Sequence, residues 1–308
     1  MSNNYILGID IGGTNTVYGV VNQNGEIIFT GSLATSLYSN PIELVKDIHK
    51  AYLHFSEKNK LYVDGIGIGA PNGNYNNGCI EFAPNLSWGE MIPIAEMFST
   101  VFQLPAKLTN DANAAAIGEK VFGGAKYMND FVVLTLGTGL GSGIFTNGKI
   151  IHGKHGFAGE FGHTKCSESN RTCTCGKIGC IETYVSARGI IQTFNELYFA
   201  NRDKMPIEEI STKKIYNLAI EGDVIAKETF SITAKYLGNS LSNLVLILDP
   251  EAIFLFGGIA NAYPILIPII ESSIESNVLP ILKGKTKILP SQLLNKNAAV
   301  LGSAALWF

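Results

Sequence analysis

The chain has 308 residues, 46% of them hydrophobic and only 16% charged, with 23 basic against 26 acidic side chains for a net charge of −3. That apolar content excludes intrinsic disorder, because enough surface is available for burial to offset the entropy of ordering. The acidic balance lacks any Lys/Arg block and argues against nucleic acid as a primary partner, and no apolar run approaches the ~20 residues of a membrane span.

At roughly 150 residues per domain the length predicts two domains. Met1 is followed by Ser-Asn-Asn-Tyr with no basic leader, so the chain is expected to be cytoplasmic. Three short strands open it: Tyr5 to Asp10, Val17 to Val21 and Ile27 to Phe29. The first ends in Gly12-Gly13-Thr14-Asn15, and the Asn24-Gly25 pair is a hairpin signal before the third. Ile42, Val45, Ile48, Tyr52 and Phe55 recur at helical spacing, predicting a helix over Pro41 to Lys58 with Pro41 in its first turn. A buried strand over Val63 to Gly69 stops at Pro71. Helices are expected near Ile92 to Phe102 and over Ala112 to Val121, the latter after a short strand from Lys107 to Thr109.

The opening pattern then returns. Val132 to Leu136 runs into Gly137-Thr138-Gly139-Leu140-Gly141-Ser142-Gly143, read as a glycine turn, followed by Ile144-Phe145. Asn147-Gly148-Lys149-Ile150-Ile151 repeats Asn24-Gly25-Glu26-Ile27-Ile28 about 125 residues later. The repeat predicts two homologous α/β halves, each opening with a strand meander and facing the other across a cleft. In the second half, helices are expected over Ser186 to Phe199, Ser211 to Ile220 and Val224 to Leu248. Asp249-Pro250 stops the last of these. Ala252 to Phe256 reads as a buried strand running into Gly257-Gly258, and Ala298 to Phe308 as a terminal helix.

Two glycine turns directly after buried strands suit phosphate. Without Cβ atoms the backbone approaches an oxygen closely, and successive N–H groups form a nest. Thr14, Asn15 and Thr138 add side-chain donors. Asp10 ends the first strand where Mg²⁺ carried by phosphates needs an oxygen ligand; the alternative is that each turn is only a tight hairpin. There is no G-x-x-x-x-G-K-[ST], and Gly65-Ile66-Gly67-Ile68-Gly69-Ala70 imitates a dinucleotide fingerprint but runs into Pro71-Asn72-Gly73 instead of a helix.

Four of the five cysteines lie between Cys166 and Cys180, which favours a metal site over a disulfide framework. His163 with Cys173, Cys175 and Cys180 makes a closed Cys₃His set suited to tetrahedral, structural Zn²⁺. Reduced unligated thiols and a nucleic-acid-binding ribbon are the alternatives. Cys166, His152 and His155 are read as non-ligands, and Cys79 as a small buried side chain. A loop folded on zinc fixes Glu160, His163 and Glu182 relative to one another, and these polar groups suit a polyhydroxylated ligand. Asp111 begins a helix. It reads either as an ordinary N-terminal cap or as a general base that takes a proton from a hydroxyl attacking a γ-phosphoryl group.

Asp10-Ile11-Gly12-Gly13-Thr14-Asn15, Asn110-Asp111-Ala112-Asn113-Ala114-Ala115, the Leu136–Gly143 run and Cys173-x-Cys175-Gly176-x-x-Gly179-Cys180-x-Glu182 occur here in one order. Together they resemble the ROK family (repressor, open reading frame, kinase) of sugar kinases over essentially the whole chain. The resemblance implies the duplicated ribonuclease H-like, actin-like and hexokinase-like ATPase fold, with two α/β domains around a cleft. Residues 1–120 with about 298–308 would form the smaller domain, and residues 121–297 the larger one with the zinc loop. Asp111 would be the base, and Asn85, Asn110, Asp111, Glu160, His163 and Glu182 would bind the sugar. Asp10, Gly12, Gly13, Thr14, Asn15, Gly137, Thr138 and Gly139 would hold Mg²⁺ and the phosphates of ATP, with Gly257 and Gly258 against the nucleoside.

The implied reaction is phosphorylation of a hexose, glucose to glucose 6-phosphate first, with N-acetylmannosamine, N-acetylglucosamine, fructose, mannose and allose as other acceptors; a non-catalytic sugar sensor is the reading from another class. The family's repressors add an N-terminal helix-turn-helix, for which the start of the first loop at Asp10 is expected to leave no room. Relatives are often homodimers. One departure is Ala70-Pro71-Asn72-Gly73-Asn74, where many relatives carry a proline-glycine-proline turn near the sugar.

Overall fold

The computed structural model describes residues 4–168, 170–201, 210–293 and 297–308. Strands β1 (Tyr5–Ile11), β2 (Asn15–Asn22) and β3 (Ile27–Ala34) form an antiparallel meander. Helix α1 (Pro41–Asn59) follows, its first turn capped by Asn40, whose side chain accepts from the Ile42 N–H. Strand β4 (Gly65–Ala70) returns parallel to β1. Three short strands, β5 (Gly73–Asn74), β6 (Cys79–Glu81) and β7 (Met91–Ile92), make a small antiparallel sheet of their own. Helix α2 (Ile94–Phe102) leads to β8 (Ala106–Asn110), parallel to β4, and then α3 (Asp111–Phe122).

The second half opens with β9 (Phe131–Leu136), β10 (Leu140–Thr146) and β11 (Lys149–Ile150). It continues through α4 (Glu182–Val185), α5 (Ala187–Asn201), α6 (Thr212–Glu221), α7 (Val224–Leu248), β12 (Ala252–Phe256), α8 (Tyr263–Asn277), β13 (Lys287–Pro290) and α9 (Ala298–Ala304). The two main sheets run β3-β2-β1-β4-β8 and β11-β10-β9-β12-β13. In each, three antiparallel strands are followed by two parallel ones, so the repeat read in the sequence is a duplicated ribonuclease H-like unit, the actin-like arrangement.

Burial explains the strand sequences. On β1 and β4, Leu7, Ile9, Ile66 and Ile68 pack against Leu44 and Ile48 of α1 and Phe98 of α2. The opposite face of the same strands lies under α9. A Cβ at Gly8 would overlap the Val300 carbonyl oxygen, and one at Gly67 the Ser303 carbonyl oxygen. The Gly-Ile-Gly-Ile-Gly run is therefore a strand with one greasy face and one face cleared for a helix backbone, which is why it mimics a nucleotide fingerprint without being one. The second core gathers Leu134, Leu136, Ile253 and Leu255 of the sheet with Phe194, Phe230, Leu237 and Ile270 of the covering helices.

Three readings need correction. Residues Leu140–Gly143 belong to β10, paired with β9 from Leu136 to Val133, so the second glycine turn is only Gly137–Gly139. The glycines at 141 and 143 are needed because α3 lies on that face: a Cβ at Gly141 would come 2.8 Å from the Ala112 Cβ, and one at Gly143 2.7 Å from the Ala112 carbonyl oxygen. Strand β3 extends to Ala34 rather than stopping near Phe29. Cys79, read as buried, is only half-buried, at the start of β6. Among the described residues no helix is long and apolar enough to cross a membrane.

Helix α3 is fastened at its far end by a buried carboxylate. Glu119 Oε1 accepts from the Gly124 and Gln292 N–H groups at 2.8 and 3.0 Å, and Oε2 from the Ser291 hydroxyl at 2.6 Å. Glu119→Ala leaves three donors unpaired and is expected to lower unfolding stability by about 3 kcal/mol, read from urea denaturation. A change under about 1 kcal/mol would mean that water replaces the carboxylate at no cost.

Candidate active site

The register sets the site. Asp10 on β1 stands opposite Gly69 on β4, and Ala70 opposite Asn110 on β8, so Asp10 and Asn110 emerge at the carboxyl ends of parallel strands, where α/β sheets bind ligands. Asn110 caps α3 by accepting from the Asn113 N–H at 2.7 Å through Oδ1, which leaves its amide N–H groups for a ligand. Asp111 follows, with Oδ1 accepting the Ala112 N–H at 2.8 Å.

Asp111 is exposed at the surface, with protein packed around its carboxyl group. That enclosure pushes its pKa up, and the backbone N–H groups of Ala112 and Asp111 pull it part of the way back. Asp10 is pushed up to about 7, by burial first and then by the Asp111 charge. Glu160 is raised by burial, relieved by His163, and raised again by Asp111 and Glu182. The Asp111 charge thus contributes to the raised pKa of both Asp10 and Glu160, and the demand for positive charge beside Asp10 fits a divalent cation.

The first glycine turn closes through the Gly12 N–H donating to the Asn15 carbonyl at 3.0 Å, leaving Thr14 and Asn15 exposed. Asn85, in an exposed turn, lies against it: a Cβ at Gly13 would come 2.7 Å from the Asn85 carbonyl oxygen. The second turn is built alike, with the Gly137 N–H donating to the Gly139 carbonyl at 3.1 Å and Thr138 exposed. Gly257, at φ +101°, packs on the Leu136 carbonyl where β12 ends, and Gly258 faces open space.

The cysteine loop folds as a small knot. Cys173 N–H donates to the Lys177 carbonyl at 2.8 Å and Cys166 N–H to the Gly179 carbonyl at 2.9 Å, with isolated bridges between Lys165 and Cys180 and between Thr172 and Ile178. One ligand atom each from His163, Cys173, Cys175 and Cys180 falls within 4.8 Å of the others. The Cys175 and Cys180 sulfurs are 3.7 Å apart and His163 Nδ1 is 3.6 Å from the Cys173 sulfur. A tetrahedron with Zn–S of about 2.3 Å and Zn–N of about 2.0 Å has edges of about 3.5 to 3.8 Å, so the donor set fits zinc. Neither Cys166 nor His152 nor His155 belongs to the cluster.

With Nδ1 turned to the sulfurs, His163 Nε2 faces Glu160, 3.9 Å from Oε2. Glu182 joins the knot to the second glycine turn. Its Oε2 accepts the Leu140 N–H at 3.0 Å, and its Oε1 accepts from the Thr174 hydroxyl at 3.4 Å beside the Cys173 sulfur at 3.5 Å. Oε2 keeps a lone pair for a ligand hydroxyl.

Two residues escaped the sequence reading. Arg171 buries its guanidinium behind the knot, donating to the Thr183 carbonyl at 2.9 Å, the Thr193 hydroxyl at 2.9 Å and Glu196, and stacking 4.2 Å over Tyr184. It is one of only three arginines, and its place among the cysteines was the available signal. Asn113, one turn into α3, is buried with its Oδ1 unpartnered; nothing in the sequence separates it from an ordinary helix residue.

Comparison with known proteins finds relatives over nearly the whole chain. The ROK family model matches residues 6–308. A glucokinase of Halalkalibacterium halodurans is 33% identical over 91% of this chain and 88% of its own. A xylose repressor of Bacillus spizizenii is 32% identical over 98% of this chain and 76% of its own. The crystal structure of a ROK family glucokinase from Streptomyces griseus in complex with glucose and AMPPNP superposes with a TM-score of 0.82 at 31% identity, covering 98% of this chain and 99% of that one.

Proposed function

The chain belongs to the ROK family, and from that premise we propose that it transfers the γ-phosphoryl group of ATP to the 6-hydroxyl of a hexose, glucose first. The observation that carries this reading is the position of Asp111, in electrostatic reach of both Asp10 at the first glycine turn and Glu160 beside the metal knot. A base whose charge is felt by both can serve the group that meets phosphate and the group that meets sugar.

In the proposed reaction the sugar oxygen attacks the γ-phosphorus, its proton passes to Asp111, and ADP leaves with the electron pair of the broken P–O bond. Gly13, Thr14 and Asn15 with Thr138 and Gly139 donate to the phosphate oxygens, Gly12 and Gly137 close the turns that present them, and Asp10 would serve the Mg²⁺ that accompanies them. Gly257 and Gly258 give the nucleoside a flat backbone surface. Asn85, Asn110, Glu160, His163 Nε2 and Glu182 hold the sugar hydroxyls. His163 Nδ1, Cys173, Cys175 and Cys180 would hold a structural zinc ion, which would supply a rigid frame for the sugar-facing groups. The glucokinase relatives support glucose over N-acetylmannosamine, N-acetylglucosamine or fructose.

ADP release with Mg-ATP and each of glucose, N-acetylglucosamine, N-acetylmannosamine, fructose, mannose and allose tests the proposal. Glucose is expected to give the highest kcat/KM. A rate independent of every sugar overturns the kinase reading. The likeness to a xylose repressor over nearly the whole chain favours a second reading, a sugar sensor; calorimetric sugar binding without sugar-dependent ADP release would establish it.

A further inference from the structure

Away from the ligand-facing groups, the first half also reaches across to the second through side chains with no assigned role. The hairpin of β5 and β6 lies against the turn of residues 151–159. Asn74, 4% exposed, spends its whole amide there. Its Nδ2 donates to the His155 carbonyl at 2.9 Å and to Glu81 Oε1 at 2.8 Å, while its Oδ1 accepts the Asn76 N–H at 2.9 Å. Asn76 Nδ2 donates to the Lys154 carbonyl at 3.2 Å. The rings of Tyr75 and His152 stack with centroids 4.2 Å apart and planes 3° from parallel. Gly156, at φ +86°, has no room for a Cβ, which would overlap Asn74 Oδ1.

Both partners of this contact connect to the site through short, fixed segments. On one side, Gly73 packs on the Thr109 carbonyl, the residue before Asn110 and Asp111. On the other, the turn is closed by the Ala158 N–H donating to the His152 carbonyl at 3.0 Å, and its exit is held by the Ser142 hydroxyl donating to the Gly159 carbonyl at 2.5 Å, directly before Glu160. A shift of the hairpin against the turn would therefore be passed to Thr109, next to Asn110 and Asp111, and to Gly159, next to Glu160.

We propose that Asn74, Tyr75 and Asn76 form a clasp with residues 152–156 that sets the separation between the Asp111 and Glu160 sides of the site, and so governs affinity for the sugar that spans them. The clasp residues are positioning residues, and their consequence for sugar rests on the kinase reading above. Tyr75 is the position to test because it is 45% exposed and contributes no backbone-capping bond, so its removal leaves the hairpin's own hydrogen bonds in place.

Kinetics and amide hydrogen exchange on wild type, Tyr75→Ala and Tyr75→Phe decide the matter. Tyr75→Ala is expected to raise the sugar KM about tenfold, equivalent to about 1.4 kcal/mol, with the ATP KM within about twofold of wild type. Amide exchange at Gly156 and Ala158, measured without sugar, is expected to quicken about tenfold. Tyr75→Phe keeps the ring and is expected to behave as wild type. An unchanged sugar KM in Tyr75→Ala, unchanged exchange, or equal rises in both KM values overturns the clasp while leaving the kinase reading intact. A wild-type protein that neither binds nor phosphorylates any sugar overturns the reading on which the clasp rests.

Discussion

Asp111→Asn is expected to lower kcat by about 10³-fold, within the 10²–10⁴-fold range of general-base assistance, while sugar affinity changes no more than about threefold. Asparagine keeps an Oδ1 to accept the Ala112 N–H that the carboxylate accepts at 2.8 Å, so the start of α3 survives, and that oxygen still accepts from a sugar hydroxyl. What is lost is a group that can take the proton. The pH dependence carries an independent sign. The base works ionised, and the protein around Asp111 pushes its pKa up from 3.8, so the acid limb of kcat/KM should lie above the ordinary carboxylate range. The mutant should lose that limb. Rate measurements across pH on both forms check this, and an unchanged kcat in Asp111→Asn would remove Asp111 from the chemistry.

The parts of this fold legible in the sequence are those where one local rule decides. The Asn-Gly hairpins at residues 24–25 and 147–148 and the apolar runs before them reveal the duplication because turn chemistry and strand burial agree. The metal set is legible because thiols clustered over a few residues have few other uses. Illegible were elements decided by distant partners. Helix α8 carries Pro264 and Pro268, and Pro268 removes a helix N–H. The packing of Leu266, Ile267, Ile270 and Ile274 into the second core holds the helix there. Strands β5, β6 and β7 are two or three residues long, below what periodicity can register, and β13 is recognised only by pairing with β12.

The site divides on the same line. Asp10, Asp111 and the first glycine turn follow directly from strand ends legible in the sequence, whereas the second turn is shorter than its glycine run suggests, Leu140–Gly143 being strand. The tie from Glu182 to the Leu140 N–H, the guanidinium of Arg171 behind the knot, and the stack of Tyr75 on His152 join residues 42, 13 and 77 positions apart (182 minus 140, 184 minus 171, 152 minus 75). No local pattern encodes such pairings, although they decide how rigidly the legible residues are held.

Removing the metal should have the second large effect. Burial, and then the neighbouring Cys175 and Cys173 thiols, push the Cys180 thiol to about 12, so in the metal-free knot it stays protonated at neutral pH and zinc must expel that proton to bind. Zinc should accordingly be lost as pH falls. Cys175→Ser deletes the most exposed ligand and leaves the buried pair without its partner. Apolar anchoring of the segment lies at Phe161, Cys166, Ile181, Tyr184 and Val185; between them the chain is held by backbone bonds and a few side chains, among them Arg171, Lys177 and Arg188. Glu160, His163 and Glu182 should then lose their common frame, weakening sugar binding by about 10²-fold, the upper range for loss of metal-supporting groups, with zinc falling from about one per chain to near none. Because Glu182 also holds the Leu140 N–H at the second glycine turn, affinity for ATP should fall as well, by less. Cys166→Ser is the matched control: its thiol, pushed up to about 11 chiefly by burial, lies outside the ligand cluster, and the variant should keep both zinc and sugar affinity. Metal analysis with calorimetric sugar titration of the three proteins checks the argument. Full sugar affinity in zinc-free Cys175→Ser would mean that the peptide alone holds the knot.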